Sequence, residues 1–597
     1  MRASSLTHPF VVVLLCAAGA NAQHKDHAPA ASSVPVAYPA ITSRTVYPEP
    51  TLPAIGAAGQ RFTDPTFGSR LLRVTDANTR PGSPGRSYSG PSAAHQLAWS
   101  AASDRFYIRS VDGFFIPYNF DAVTMTASRI SPTSTGNGGL VVSSQVEPQF
   151  SFLTSSHIYG TRQDSVNDWP IVRRFDFDTL TYTDILNLGT LTTISPTTYT
   201  GALSSSATSP EKLMAMFGGA AQDTHYKVAV FQVSPAGANP AVLDTQTSTI
   251  TRNGTTAGTN IPLNFLLHHA WLDQSWRYVL LYPVNAVPAP YYVWDLNTDI
   301  ITGVTTRGEG HDATGFGRQV NQSCCTTTTY DGAQWQSRAL ATPATTTDLI
   351  SPVLTPQEVY IADHTSWNNA ESGTLTPILS SLYRYYDGTL NTTPWRAWDD
   401  EIVAIQTNAS GGATVWRFAH HRSNVSPDAG GSGATYFWYL PRAVISPNGR
   451  WALFTSNWEK TLGNTVGSDI EPGGLFRNDV FVLALTKSGL SPFTDDPLEI
   501  GGTAIRAVHM TELRTRIDAL RVRFTLGAVS WTDPSLAGVT AKAAHLTELR
   551  TALQQAYVAA GLPEPTFTDA SVSPGSTRIR AVHIQELRDA VVDLEVR

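Results

Sequence analysis

Seven times between about residue 90 and residue 487, a polar or histidine-bearing opening leads into a short β-rich run, a Gly/Asp/Ser turn and a second run. The openings are AHQLAWSAASDRFYIRS, VEPQFSFLTSSHIYGTR, GALSSSATSPEKLMAMFGG, HHAWLDQSWRYVLLYP, GHDATGFGRQV, DHTSWNNA and YLPRAVISPNGRWALFTS. Several continue into a further strand that ends in an Asp or Asn turn, as in FIPYNFDAVTMT, IVRRFDFDTLTYT and YYVWDLNTDIITG. A unit of this kind is one small sheet that buries its faces only against its neighbours, and seven of them around an axis make a seven-bladed β-propeller. The expected fold class is therefore all-β, with the propeller over residues 61–490. Arg70-Leu71-Leu72-Arg73-Val74 precedes the first opening and is placed to complete the last blade, which removes an exposed sheet edge. A β-sandwich pair or an irregular all-β fold is the alternative, because the spacing is uneven and the sixth unit, 364 to about 437, is long.

A second repeat follows, over residues 500–597. Ile505-Arg506-Ala507-Val508-His509-Met510-Thr511-Glu512-Leu513-Arg514 recurs as AKAAHLTELR at 541–550 and as IRAVHIQELR at 579–588. Each copy continues with helical apolar spacing, for instance Leu513, Ile517 and Leu520, and the first two are followed by Trp531-Thr532-Asp533 and Phe567-Thr568-Asp569. This reads as a small three-repeat helical module serving attachment or assembly. His and Glu at i and i+3 share a helix face, so each pair reads either as a helix-start hydrogen bond repeated for packing or as a metal site.

The first 22 residues, MRASSLTHPFVVVLLCAAGANA, carry the early Arg, apolar run and Ala-x-Ala end of an export signal. The expected destination is secreted, periplasmic or extracellular. Residues 23–60 are rich in Ala, Pro, Ser and Thr without periodicity and read as an extended or disordered linker. No later stretch is long and apolar enough for a transmembrane segment. With 41 basic and 48 acidic residues the net charge is −7, which disfavours nucleic acid as a partner. Beyond the signal only Cys324 and Cys325 remain, adjacent, either as a vicinal disulfide or as two thiols.

His95, His268 or His269, His311 and His364 stand at openings of the expected innermost strands, so a propeller gathers them near one mouth of its channel. His420 and His421 end a strand of the sixth unit and reach the same face. Grouped imidazoles hold a divalent metal, move protons or bind a polar ligand; singly, each serves as a packing hydrogen bond between blades. Arg422 and Arg442, with Tyr436 and Tyr439, suit a carboxylate-bearing sugar. Trp99, Trp271, Trp367 and Trp438 offer stacking faces or fill the core. The chain lacks H-E-x-x-H, G-x-S-x-G and a Walker lysine motif.

The stretch Arg442-Ala443-Val444-Ile445-Ser446-Pro447-Asn448-Gly449-Arg450-Trp451-Ala452-Leu453-Phe454-Thr455-Ser456-Asn457 resembles the S-P-D-G-K/R-W strand pair of TolB-like propellers. Among these, the His-rich openings resemble the oligogalacturonate lyase type. The resemblance implies an exported seven-bladed enzyme in which a divalent metal neutralises a uronate carboxylate while a base removes the C5 proton. On that reading His268, His269 and His364 hold a metal such as Mn, Ca or Zn. His95, Arg422 and Arg442 bind substrate, and His311, His421 and Tyr439 move protons. The implied partner is an acidic polysaccharide or cell-surface glycan. One departure is visible: Trp438-Tyr439-Leu440-Pro441-Arg442 stands where the family carries Gln and His metal ligands. The rival expectation is a non-catalytic extracellular protein that uses the propeller as a binding platform.

Overall fold

The computed structural model describes residues 34–595 except 39, 81, 123, 131–139, 141, 143–145, 163–169, 195–199, 220, 222, 285–288, 290, 306–311, 323–334, 351–362, 374, 385–394, 427–434, 467–475, 487–492, 496–497 and 499–503. Seven antiparallel sheets form a seven-bladed β-propeller. Blade 1 comprises Tyr88–Ser89, Arg105–Ser110, Phe115–Asp121 and Thr126–Arg129, and blade 2 Gln149–Phe150, His157–Thr161, Ile171–Asp176 and Thr181–Asn187. Blade 3 has six strands, from Ala202–Ser205 out to Thr255–Gly258. Blade 4 runs from Leu267–Leu272 through Tyr278–Pro283 and Tyr291–Asp295 to Ile300–Val304, and blade 5 from Ala313–Thr314 to Thr347–Asp348. Blade 6 comprises Asp363–Ser366, Ile378–Leu382, Glu401–Ile405 and Val415–His420. Six of the seven openings read in the sequence begin a blade, and the first, from Ala94, follows the short strand Tyr88–Ser89 that begins blade 1.

Blade 7 closes the ring. Its inner strands Val444–Ile445, Trp451–Ser456 and Asp479–Ala484 come from the end of the propeller, and Arg70–Arg73 and Arg61–Thr63 from its beginning. Leu71, Leu72 and Arg73 pair with Leu483, Val482 and Phe481. Arg73 and Arg477 both pair with the fully buried Asp479, which ties the two chain segments together at the seam.

Position within a blade explains the strand sequences. Tyr278–Pro283 is buried along its whole length because blades cover both of its faces, so it reads as a continuous apolar run. The outer strand Thr181–Asn187 is covered only in places and keeps a polar face. The apolar clusters lie between adjacent blades: Met214, Leu243, Leu281 and Trp294 between blades 3 and 4, and Trp335, Trp367, Trp398 and Val403 between blades 5 and 6.

Residues 34–60 do not behave as the loose linker that their composition suggests. The segment packs along blades 6 and 7, with the Tyr38 ring against Trp416 and Phe418 and its hydroxyl donating to the Gly449 carbonyl at 2.8 Å. Ala/Pro/Ser-rich sequence lacks a period, but an extended chain needs none when buried arginines supply its hydrogen bonds.

The C-terminal module consists of α1, Ala507–Arg523, α2, Ala543–Ala559, and α3, Ala581–Glu595. The aromatic-Thr-Asp element occurs three times, once before each helix, because Phe493-Thr494-Asp495 precedes α1. The opening histidine has one job in all three units. Nδ1 of His509, His545 and His583 accepts the backbone N–H of residues 506, 542 and 580 at 3.3, 3.3 and 3.2 Å. With Nδ1 accepting, Nε2 carries the proton and faces Asp495, Asp533 and Asp569 at 3.0, 2.9 and 3.0 Å. These are helix-start hydrogen bonds, the packing reading of the repeated His. No helix among the described residues is long and apolar enough to cross a membrane.

Candidate functional site

Antiparallel pairing places the start of every innermost strand, the end of every second strand and the start of every third strand at one end of the ring. Glu147, His268, His269, Asp312, His364 and Arg442 all stand at this end, within or just before innermost strands, and His95 stands between Tyr88–Ser89 and the Trp99–Phe106 bridge of blade 1.

Blade 4 supplies two of these residues with different environments. The pairing of Leu267–Leu272 with Tyr278–Pro283 shifts between Leu267 and His269, a bulge that leaves His268 without a partner across the ladder. His269 points across the ring, and its Nε2 lies 2.9 Å from Nε2 of His95, on the far side in blade 1. At that distance one imidazole donates and the other accepts. The Trp271 ring packs edge-on against His95, 4.2 Å between centroids, and parallel to His269 at 5.7 Å. The channel is bridged at this level, so a ligand at this end rests above the histidine pair.

His268 turns the other way. Its Nδ1 is 2.8 Å from Oδ1 of Asp223, and both side chains are about two-fifths exposed, 43% and 41%. The ring's other nitrogen, Nε2, has no protein partner among the described residues. The backbone builds this pair: Leu267 N–H donates to the His225 carbonyl at 2.7 Å, which fixes residues 223–225 of blade 3 beside the start of the blade 4 strand. The His225 ring is buried beneath Gly201, where a Cβ would come within 2.4 Å of it, so position 201 has room only for glycine. Burial holds the His225 imidazole neutral, down to about 4, against the pull of Asp223.

Guanidinium groups crowd the blade 1 and blade 7 side. Asp112 is shared by Arg80 and Arg86, the latter at 3.2 Å. Glu147 lies 3.6 Å from Arg109 and receives the Ser92 N–H at 2.8 Å. Burial raises the Glu147 carboxyl, while Arg109 and Arg442 draw it down. Trp438 lies against two guanidiniums, Arg109 at 4.6 Å and Arg442 at 4.8 Å from the ring centroid. On the blade 4 and blade 5 side, Gln319 Nε2 donates to Asp312 at 2.8 Å and Tyr291 donates to Gln319 Oε1 at 2.9 Å.

The residues expected to do chemistry separate into groups. His268, His269 and His364 do not converge: His268 faces Asp223, His269 faces His95, and His364 packs against Tyr383 and Phe437. Among the described residues no three His, Cys, Asp or Glu side chains form a metal-binding group. His421 is fully buried, its Nε2 2.8 Å from the Leu382 carbonyl and its Nδ1 accepting the Ser423 N–H at 2.9 Å. Burial drives its imidazole down to about 3. Tyr439 is enclosed and accepts the Phe476 N–H at 3.0 Å. Arg422 is 3.0 Å from Glu459 and donates to the Pro50 carbonyl at 2.8 Å. Arg442 is buried, donates to the Phe437 carbonyl at 3.2 Å and lies over Phe437 and Trp438. Packing thus occupies His421, Tyr439, Arg422 and Arg442. His95 is the one substrate-binding candidate that meets another candidate across the ring. His311, Cys324 and Cys325 lie outside the described residues.

Three residues escaped the sequence reading. Asp223 sits in the unremarkable stretch Gln222-Asp223-Thr224-His225, Arg109 ends a strand, and Glu147 opens blade 2 without a histidine beside it. Only the last carried a signal, its position at a blade opening.

No protein-family model matches the chain, and no curated protein matches its sequence. Among solved structures it is similar to an oligogalacturonate lyase from Vibrio parahaemolyticus, at 11% identity and a TM-score of 0.40 over 72% of this chain and 97% of the other. It is also similar to Kuenenia stuttgartiensis hydrazine synthase, at 8% identity and 0.33 over 61% and 93%. TolB from Acinetobacter baumannii aligns at 14% identity and 0.24 over 47% and 60%. The propeller assignment stands on the seven sheets themselves.

Proposed function

We propose that the protein is an exported, carbohydrate-active propeller that cleaves an acidic, uronate-bearing glycan by β-elimination, with His268 as the base. The observation that carries this reading is the His268–Asp223 pair: an exposed imidazole at the channel mouth, oriented through Nδ1 by a carboxylate, with no protein partner at Nε2 among the described residues. A carboxylate in that position stabilises the imidazolium formed when Nε2 takes a proton.

In the reaction, His268 Nε2 removes the C5 proton of a uronate. The electron pair forms the C4–C5 double bond, the C4–O bond breaks, and the leaving oxygen takes a proton from solvent or a second acid. The products are an unsaturated uronate end and a new hydroxyl end. No step is routed through a metal, because the three histidines expected to hold one do not come together. The acidic substrate is supported by the guanidiniums at the mouth: among the described residues Asp112 and Glu147 each face two of them.

The test is product formation on a panel of polyuronates, their methyl esters and neutral glycans, read as ultraviolet absorbance of the unsaturated product. Cleavage confined to uronate-bearing glycans supports the reading. A second reading, a glycan-binding platform without turnover, draws on the His95–His269 bridge across the channel, and it predicts retention on the same glycans with no absorbance change.

A further inference from the structure

We infer that residues 41–55 form a pH-sensitive latch across the outer edges of blades 6 and 7, with Glu49 seated beside Arg422, Glu459 and Asp400 as its catch. The segment is held through a run of backbone contacts, with Tyr47, Leu52 and Ile55 also packed against the propeller. Ile41 bridges to Arg417, and Arg417 Nη1 donates to the carbonyls of Ser43 and Thr45 at 2.8 and 2.7 Å. His420 Nε2 lies 2.9 Å from the Tyr47 carbonyl, Arg422 Nη1 donates to Pro50, and Trp458 Nε1 donates to the Pro53 carbonyl at 2.9 Å. Glu49 is the acidic side chain that the segment buries against the propeller.

Two carboxylates share one guanidinium there. Arg422, just past the last strand of blade 6, is 3.0 Å from Glu459 and 3.8 Å from Glu49. Asp400, in the turn before Glu401–Ile405, acts on Glu49 as a like charge and has Arg384 as its own cation. Around this centre, Asp400 accepts the Arg384 N–H at 2.7 Å, lies 3.6 Å from His421 and feels Asp399 and Glu401. Glu401 is bound by Arg417, and Asp64 accepts the His420 N–H at 3.1 Å. Arg422 serves two carboxylates, and the Asp400 charge adds to them against a buried Glu49, so a proton stays in the cluster while the segment is docked.

The sign follows. Burial, then the Asp400 charge, raise docked Glu49 from 4.5 to about 9. A raised carboxyl favours docking below its free value, and that advantage is lost as pH climbs from 4.5 towards about 9. His420 acts oppositely: burial lowers it from 6.5 to about 4, so protonation opposes docking as pH falls through that range. The two offset one another between 4.5 and 6.5, and net loosening sets in above 6.5.

The experiment is hydrogen exchange by mass spectrometry on the full mature chain, corrected for intrinsic rates, with blade 2 peptides as the internal reference. Between about pH 6 and about pH 9, protection of peptides from 41–55 is expected to fall by roughly tenfold or more. Glu49→Gln, which cannot ionise, abolishes that fall. Should this variant not fold, trypsin cleavage after Arg44 in the wild-type protein reads the same release, its rate rising with pH faster than for a free peptide of the same sequence. Protection that is flat across the range, cleavage that only tracks the free peptide, or a Glu49→Gln profile matching the wild type overturns the latch.

Discussion

The guanidinium of Arg588, in α3, lies over the ring of Phe493, 4.8 Å from its centroid, and joins the last repeat of the C-terminal module to the first. Arg514 and Arg550 make the equivalent contacts with Trp531 and Phe567, at 5.1 and 4.9 Å. Each arginine also donates to the Thr and Asp carbonyls beneath the ring it covers: Arg514 to 532 and 533, Arg550 to 568 and 569, and Arg588 to 494 and 495. Three units related this way close on themselves, so the module has no open end for a fourth.

Ring closure makes Phe493 part of the helical module although it lies ahead of the first helix. Phe493→Ala is expected to destabilise the module by about 3 kcal/mol, the cost of emptying a buried aromatic site. Urea unfolding followed by helical circular dichroism checks this. An unchanged transition means that Phe493 belongs to the connecting chain alone.

Arg417 and Glu401 form a pair with both side chains fully buried, Nε to Oε2 at 2.7 Å. Glu401→Ala leaves the guanidinium without its counter-ion, and a loss of about 3 to 5 kcal/mol is expected. The loss should appear in denaturant unfolding followed by tryptophan fluorescence. Burial raises the Glu401 carboxyl to about 7 against the pull of Arg417, so the pair has desolvation working against it. Removing one partner is therefore the disruptive change.

Gly201→Ala drives a Cβ to 2.4 Å from the His225 ring and 2.7 Å from Met216. A destabilisation of about 1 to 3 kcal/mol is expected from overpacking. Because the 223–225 segment carries Asp223, activity should fall further than stability does. Equal losses in thermal unfolding and turnover would show that position 201 matters to the fold alone.

His225, His420 and His421 are buried and neutral, lowered to about 4, 4 and 3 from an ordinary 6.5. Each unfolded imidazole binds a proton that its folded form refuses, so stability is full above 6.5 and declines as pH falls towards the folded values. The raised carboxyls of Glu49, Asp400 and Glu401 pull the other way, so the histidine contribution is read by difference: relative to the wild type, His421→Asn should lose less denaturant midpoint between neutral and acid pH. A His421→Asn profile parallel to the wild type down to about pH 4 contradicts this.

The blade openings were legible because innermost strands are short apolar runs with polar starts, and the strand Arg70–Arg73 because a closed ring needs an outer strand for its last blade. The helical repeats were plain for a similar reason: one hydrogen-bonding scheme recurs with the same residues. The site was less legible. A blade opening places His268 and His269 at the mouth, but a bulge at Leu267–His269 decides which crosses the channel and which meets Asp223, and no local pattern announces the bulge. His421, Arg422 and Tyr439 sit at the same end and look equally chemical in sequence. Residues 41–55 cover Arg422 from 372 residues away at Pro50, and Phe476 and Lys460 enclose Tyr439 from the neighbouring blade 7 segment.

The most direct test of the central claim is turnover of a polyuronate by the wild-type protein, His268→Ala and Asp223→Asn, each first shown to be folded. The account predicts unsaturated product from the wild type, a loss of roughly 10²- to 10⁴-fold in kcat for His268→Ala, and a smaller loss for Asp223→Asn with a shifted pH profile. Product formation that survives His268→Ala unchanged, or a folded wild-type protein that binds polyuronate and releases no unsaturated product, contradicts it.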